Sequence, residues 1–206
     1  LGTSRGLVLY DSRTGQWRSV THDAGQDRSL GDGEVYSMLS DRSGDMWFAT
    51  GSAGLFRLPG PDAAGSYAGF EFEHFRFDSA DTTSLSANRL FSLLEDRTGR
   101  IWVGTVDEGV EVFTPGQAGF KHYRPNRDRP NSISDNGVEC LYQDAAGLFW
   151  FGTLAGGLNR LDYGTGEFRH YQYDAADPRS LSNNHVTSIL QDDQGILWVA
   201  TADGLN

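Results

Sequence analysis

The sequence predicts an all-β chain made of β-propeller blades, four-stranded antiparallel meanders that recur about every 48 residues. Three observations carry this. One phrase, Asp-x-x-Gly-x-x-Trp, occurs four times, as Asp41-Gly44-Trp47, Asp96-Gly99-Trp102, Asp144-Gly147-Trp150 and Asp192-Gly195-Trp198. Its tryptophans are 55, 48 and 48 residues apart, and a fixed period of this size marks an array of one supersecondary unit. Each phrase also lies between two short apolar stretches of strand length. Finally, 26 glycines and 12% aromatic residues favour strands and turns over helices.

The elements follow in order within each unit. The first strand is read at Val35–Leu39, Leu90–Leu94, Val138–Tyr142 and Val186–Leu190. In the turn that follows, the Asp carboxylate can accept backbone N–H bonds, and Gly suits a left-handed closing position. Trp opens the second strand, at Met46–Thr50, Ile101–Thr105, Phe149–Thr153 and Leu197–Thr201, and returns the chain to the space between blades. A short turn ending in Gly54, Gly109, Gly157 or Gly204 leads to a third strand, and a fourth starts at Trp17, Phe72, Phe120 or Phe168. A long connection then carries the chain from the outer edge of one blade to the inner edge of the next, which favours a propeller over a solenoid. The seven extra residues of the first interval fall in the Ala/Gly/Pro-rich stretch Pro59–Gly69, read as a loop insertion.

Residues 1–206 are therefore expected to form a single propeller segment. Residues 1–22 would be an outer half blade, 23–73 with the insertion to 78, 79–126 and 127–174 three whole blades, and 175–206 an inner half blade. Thr3 to Leu7 align with Thr201 to Leu205, so a ring could close only if the two halves paired, within a chain or between chains. A four-blade ring lies at the small end of propellers, and the chain reads as part of a larger one.

Charge narrows the functions. With 17 basic and 28 acidic residues, the net charge of −11 opposes binding to nucleic acid or to anionic lipid surfaces. No apolar run reaches the roughly 18 residues of a membrane span. No signal peptide opens the sequence, and any targeting segment is expected outside it. Cys140 is the single cysteine and occupies a position where other units have Ser37, Ser92 and Ser188, so a small buried role is expected.

The repeated Asp, Gly and Trp residues are read as structural. No loop collects the oxygens that calcium needs, since Asp107-Glu108 and Asp192-Asp193 supply two acids each, and neither metal nor cofactor is expected. His74, His122 and His170 share one position in the fourth strand and are read as surface or blade-edge residues. In a repeat protein, shared positions build the fold and the differing residues of one rim carry recognition. The candidates for ligand binding are Asn88, Arg89, Asp107, Glu108, Asn136, Glu139, Asn184 and His185. Tyr36, Phe91, Glu139 and Thr187 also differ just inside the first strand. Amides, an Arg, acids and aromatic rings together suit a sugar. Two rim glutamates, Glu34 and Glu139, lie two blades apart, too far for the paired carboxylates of a retaining glycosidase. No catalytic residue is assigned.

The phrases resemble the two-component regulator propeller repeat. Unit two reads Leu90-Phe91-Ser92-Leu93-Leu94-Glu95-Asp96 and closes with Gly99, Ile101-Trp102-Val103-Gly104-Thr105, while unit three continues Gly157-Leu158-Asn159-Arg160-Leu161. The linker phrase Phe168-Arg169-His170-Tyr171 followed by Asp177-Pro178-Arg179-Ser180-Leu181-Ser182-Asn183-Asn184 is similar as well. The resemblance implies a periplasmic, ligand-sensing and non-catalytic propeller of a membrane-anchored bacterial receptor. Its output would be a histidine kinase or a diguanylate cyclase. The resemblance also implies a carbohydrate-derived ligand, an oligosaccharide, and self-association as a dimer, and the exposed blade edges would invite edge-to-edge association or swapped blades. A propeller glycoside hydrolase or lyase, and a dimerisation scaffold without ligand, are the alternatives.

Overall fold

The structure, a computed structural model, describes residues 2–3, 6–12, 14–20, 29–30, 33–61 and 71–206. The described residues form antiparallel sheets and no helix. An N-terminal sheet holds β1 (Gly2–Thr3), β2 (Gly6–Asp11) and β3 (Gln16–Val20). Three four-stranded sheets follow. The first is β4 (Val35–Ser40), β5 (Met46–Thr50), β6 (Leu55–Leu58) and β7 (Glu73–Phe75). The second is β8 (Leu90–Glu95), β9 (Ile101–Thr105), β10 (Val110–Phe113) and β11 (Phe120–Tyr123). The third is β12 (Val138–Gln143), β13 (Phe149–Thr153), β14 (Leu158–Asp162) and β15 (Glu167–Tyr171). A last sheet holds β16 (Val186–Gln191), β17 (Leu197–Thr201) and β18 (Gly204–Leu205). In every sheet the strands pair in chain order, and the long connections cross from one sheet to the next.

The repeated phrase is more tightly built than its turn chemistry alone requires. Gly44, Gly99, Gly147 and Gly195 take φ of 91°, 82°, 86° and 81°, the left-handed conformation that closes the hairpin. One oxygen of each Asp, Oδ1, accepts backbone N–H groups of the turn, as from Asp45 (3.0 Å), Arg100 (3.1 Å), Leu148 (2.9 Å) and Ile196 (2.9 Å). The other oxygen accepts the indole N–H of the Trp six residues on, at 2.7, 2.8, 2.8 and 2.7 Å in the four units. Asp and Trp are thus one device, which fixes the turn and orients the ring. Burial of Asp41 and Asp96 works against ionisation, but the hydrogen bonds outweigh it and hold both carboxyls below the usual range.

The core lies between blades. Trp102 packs on Phe149 and Phe151 of the following sheet, at ring-centroid distances of 4.4 and 5.7 Å, and Trp47 packs on Phe113 at 5.3 Å. Ile101 and Val103, alternating with Trp102 along β9, face the preceding blade with Trp47 and Leu90. Trp47 and Trp102 are 1% and 0% exposed, whereas Trp198, with no further sheet against it among the described residues, is 41% exposed. A polar latch repeats beside this core. The residue after each Asp donates its N–H to the side chain that ends the next first strand: Arg42 to Glu95 (3.1 Å), Arg97 to Gln143 (3.0 Å) and Ala145 to Gln191 (2.7 Å).

The inner strands β4, β8, β12 and β16 lie side by side. Their close approach explains Gly104 and Gly152, where an added Cβ would fall against Ser92 Oγ and Val138 O, or against Cys140 Sγ and Val186. The Cys140 thiol lies 3.7 Å from Val186 O, and burial pushes its pKa up to about 12. His74, His122 and His170 lie in the edge strand of each blade, as their spacing suggests, and are half-buried latches there rather than open surface residues. Their Nε2 atoms donate to Ser29 O (2.6 Å), Thr82 O (3.0 Å) and Ser132 O (2.7 Å), tying each fourth strand to the connection that enters its own blade.

Candidate functional site

One rim of the inner strands is built to a constant frame. The threonines that end the second strands, Thr50, Thr105, Thr153 and Thr201, donate their hydroxyls to Gly54, Gly109, Gly157 and Gly204 carbonyls at 2.8, 3.0, 2.8 and 3.1 Å. The next residue in each unit donates its N–H back to the residue before the first strand. These bonds are Gly51 to Glu34 O (2.9 Å), Val106 to Arg89 O (3.0 Å), Leu154 to Gly137 O (3.0 Å) and Ala202 to His185 O (3.0 Å). Backbone atoms do this work, so the side chains at 34, 89 and 185 are free to differ, while at Gly137 an added Cβ would crowd Leu154 and Val106 O.

A second free position lies beside the first. The register of every first strand slips by one residue between Val35 and Ser37, Leu90 and Ser92, Val138 and Cys140, and Val186 and Ser188. Tyr36, Phe91, Glu139 and Thr187 are therefore bulge residues, outside the ladder, and a bulge re-aims its side chain. The four units place four different chemistries on one frame.

Those side chains meet across blades. Tyr36 and Phe91 stack with centroids 6.0 Å apart and planes 29° from parallel. Tyr36 lies over Gly51, where a Cβ would crowd its ring, and the other units have Val106, Leu154 and Ala202 at that position. A hydrogen bond to Glu34, joined by that acid's charge, raises the Tyr36 phenol above its ordinary pKa. His185 Nε2 lies 2.6 Å from Glu139 Oε2 of the preceding blade. Arg89 faces Asp107 at 3.4 Å, and Glu108 faces Arg124 at 3.5 Å, all four well exposed. The rim thus offers an aromatic pair, a guanidinium, a carboxylate–imidazole pair and further acids.

Two sequence candidates, Asn88 and Asn184, have their side-chain amides engaged by the fold, whereas Asn136 is engaged through its backbone carbonyl and lines the smaller of two outer cavities. Asn88, Asn136 and Asn184 are 48 residues apart, one repeat position rather than differing ones. Their carbonyls accept from Gly54, Gly109 and Gly157 at 2.9, 2.7 and 2.9 Å. The Asn88 and Asn184 amide oxygens accept from Phe77 and Tyr173 N–H at 2.8 and 2.7 Å. Arg89, Asp107, Glu139 and His185 remain on the rim, Glu108 turns toward Arg124, and Tyr36, Phe91 and Glu34 join them. The 48-residue spacing of the asparagines was the signal that separates the two groups. Among the described residues no cluster of three or more His, Cys, Asp or Glu is placed to hold a metal ion.

A family model described as the two-component regulator propeller matches residues 29–52, 84–107, 132–155 and 180–203. These four units belong to the two-component regulator propeller repeat family. Each match contains one inner hairpin with its Asp–Trp bond and ends in the rim turn after the second strand. No curated protein shows significant sequence similarity to the chain. Among solved structures, it is similar to the extracellular domain of a hybrid two-component system, BT3049 of B. thetaiotaomicron. That likeness has a TM-score of 0.79 at 21% identity and covers 98% of this chain and 26% of that one. It is also similar to PorZ, a surface component of the type-IX secretion system of Porphyromonas gingivalis, with a TM-score of 0.72 at 17% identity over 98% of this chain and 29% of that one. Virginiamycin B lyase of Staphylococcus aureus has a TM-score of 0.62 at 14% identity, over 97% of this chain and 61% of that one. At these identities the likenesses establish the propeller fold. The chain spans about a quarter of the length of the first two structures.

Proposed function

We propose that the chain is part of the ligand-sensing propeller of a bacterial signalling receptor, in the periplasm, and that the inner-strand rim binds an oligosaccharide without turning it over. The observation that carries this reading is the bulge in every first strand. It puts Tyr36, Phe91, Glu139 and Thr187 at equivalent places outside the strand ladder, beside Glu34, Arg89 and His185. Stacked rings suit the apolar face of a sugar, and Arg89 and the carboxylates suit its hydroxyls. Family membership, and the likeness to an extracellular two-component domain, agree with a receptor. The exposed Trp198 face of the last sheet is covered in earlier units by the next blade, which fits association through that face with a further blade or a second copy.

The Glu139–His185 pair supports a second reading, because a carboxylate-oriented imidazole is a common general base. A lyase or hydrolase would use it on a bound ligand. Calorimetric titration with a panel of neutral oligosaccharides separates the two. The sensing account expects saturable binding with the ligand recovered intact. Chemical turnover of any binder, abolished by His185→Ala, would replace it with the enzymatic one.

A further inference from the structure

A cavity of about 630 Å³ opens on the outer side of the second and third blades, beneath the connection from β11 to β12, and a smaller one of about 460 Å³ adjoins it. Arg124 and Arg129 line the first, Arg127 and Arg129 the second. In the repeat frame this connection departs from its sisters. Where it has Arg127, they have Ser79 and Ala175, and where it has Arg129, they have Asp81 and Asp177. Asp81 and Asp177 cap their own loops, accepting from Thr83 N–H at 2.8 Å and from Arg179 N–H at 3.0 Å. Arg129 cannot accept such a bond, so this loop forgoes a cap to carry a guanidinium.

The remaining bonds of the loop match its sisters, for instance Ser132 N–H to Arg129 O (2.8 Å) against Ser84 N–H to Asp81 O (3.1 Å), so the arginine side chains are not needed to shape it. Neither Arg127 nor Arg129 has an ion-pair or hydrogen-bond partner for its guanidinium among the described residues. Tyr123 forms part of the wall of the larger cavity and is 8% exposed. Its hydroxyl is, among the described residues, the one buried side-chain polar atom without a hydrogen-bond partner. In a chain of net charge −11, the unpaired Arg129 thus lines both cavities, with the unpaired Arg127 on the smaller and the ion-paired Arg124 on the larger.

We propose that this cavity is a second ligand site, separate from the inner rim, and that it takes the oxyanion head of a small ligand, a carboxylate or a phosphate. The planar fork of Arg matches both groups. Asp128 and Glu167 also line the cavity and restrict it to a single anionic head rather than a polyanion.

The test is calorimetric titration of the intact chain with inorganic phosphate and with succinate, each at constant ionic strength. Saturable binding of either anion is expected, and which of the two binds identifies the head group. The Arg127→Ala/Arg129→Asp variant carries residues that the sister loops use, so it should keep the melting temperature while weakening binding at least tenfold. Absence of saturable binding for both anions would overturn the proposal, as would unchanged affinity in the double variant.

Discussion

Replacing Asp96 by Ala removes the acceptor for five donors at once. They are Thr98 N–H and hydroxyl (2.8 and 2.7 Å), Arg100 N–H and Nε (3.1 and 2.6 Å) and the Trp102 indole (2.8 Å). The turn N–H groups can turn to water. The Trp102 indole cannot, because the residue is fully buried, and an orphaned buried donor costs about 1–3 kcal/mol. Arg100, only 16% exposed, loses its carboxylate as well. Together these place the loss at about 3–5 kcal/mol. Asp192→Ala makes the same change in the same phrase, but Asp192 and Trp198 are open to solvent, so the loss should be far smaller. Urea unfolding of both variants with unchanged m reads the difference. A cycle combining Asp96→Ala with Trp102→Phe should show a coupling of about 0.5–3 kcal/mol. Equal losses in the two alanine variants, or additivity in the cycle, would refute the claim that Asp and buried Trp act as one device.

Other consequences are open to simple measurement. Gly109 has φ of 84° and faces Tyr123 O where a Cβ would stand, whereas Gly166, φ 76°, has open space there. Gly109→Ala should therefore destabilise well beyond the ~1 kcal/mol of a left-handed alanine, and Gly166→Ala by about that amount, on denaturant titration. The Cys140 thiol, pushed up to about 12, should stay unreactive to a disulfide reagent at pH 8 until the chain is unfolded. Glu111 is fully buried against Ser86 and His122, and desolvation raises its pKa. A raised carboxyl favours the folded state below the unfolded pKa and loses that contribution as pH rises through the folded one. Glu111→Gln should thus gain stability relative to the parent as pH rises from 4 to 8, and a gain on acidification instead would contradict the burial argument. Asp96 behaves oppositely: its depressed carboxyl stabilises above the unfolded pKa, and that contribution is lost as pH falls through the folded one.

Much of this was legible in the chain because the repeat multiplies each signal. The hairpin glycines, the strand bounds to within a residue or so, and the inter-blade place of Trp47 and Trp102 all follow from local spacing and alternation. What stayed hidden are bonds between units. The Arg42–Glu95, Arg97–Gln143 and Ala145–Gln191 latches join residues 46 or 53 apart, and no local pattern pairs them. The histidines read as edge residues because the fourth strand is outermost, yet the incoming connection covers that edge and supplies a carbonyl for each. On the rim, the differing residues Arg89, Glu139 and His185 were readable. The bulge that frees positions 36, 91, 139 and 187 was not, since a one-residue slip in pairing leaves no mark on composition.

The division between a shared frame and a differing rim is tested most directly by calorimetric titration of one oligosaccharide binder against the Tyr36→Ala/Glu139→Ala variant. Both residues lie outside the strand ladder, so the account predicts that binding is lost while the melting temperature stays within a few degrees of the parent. Undiminished binding in a folded variant would place recognition elsewhere, and collapse of the fold would show that the bulge residues are architectural after all.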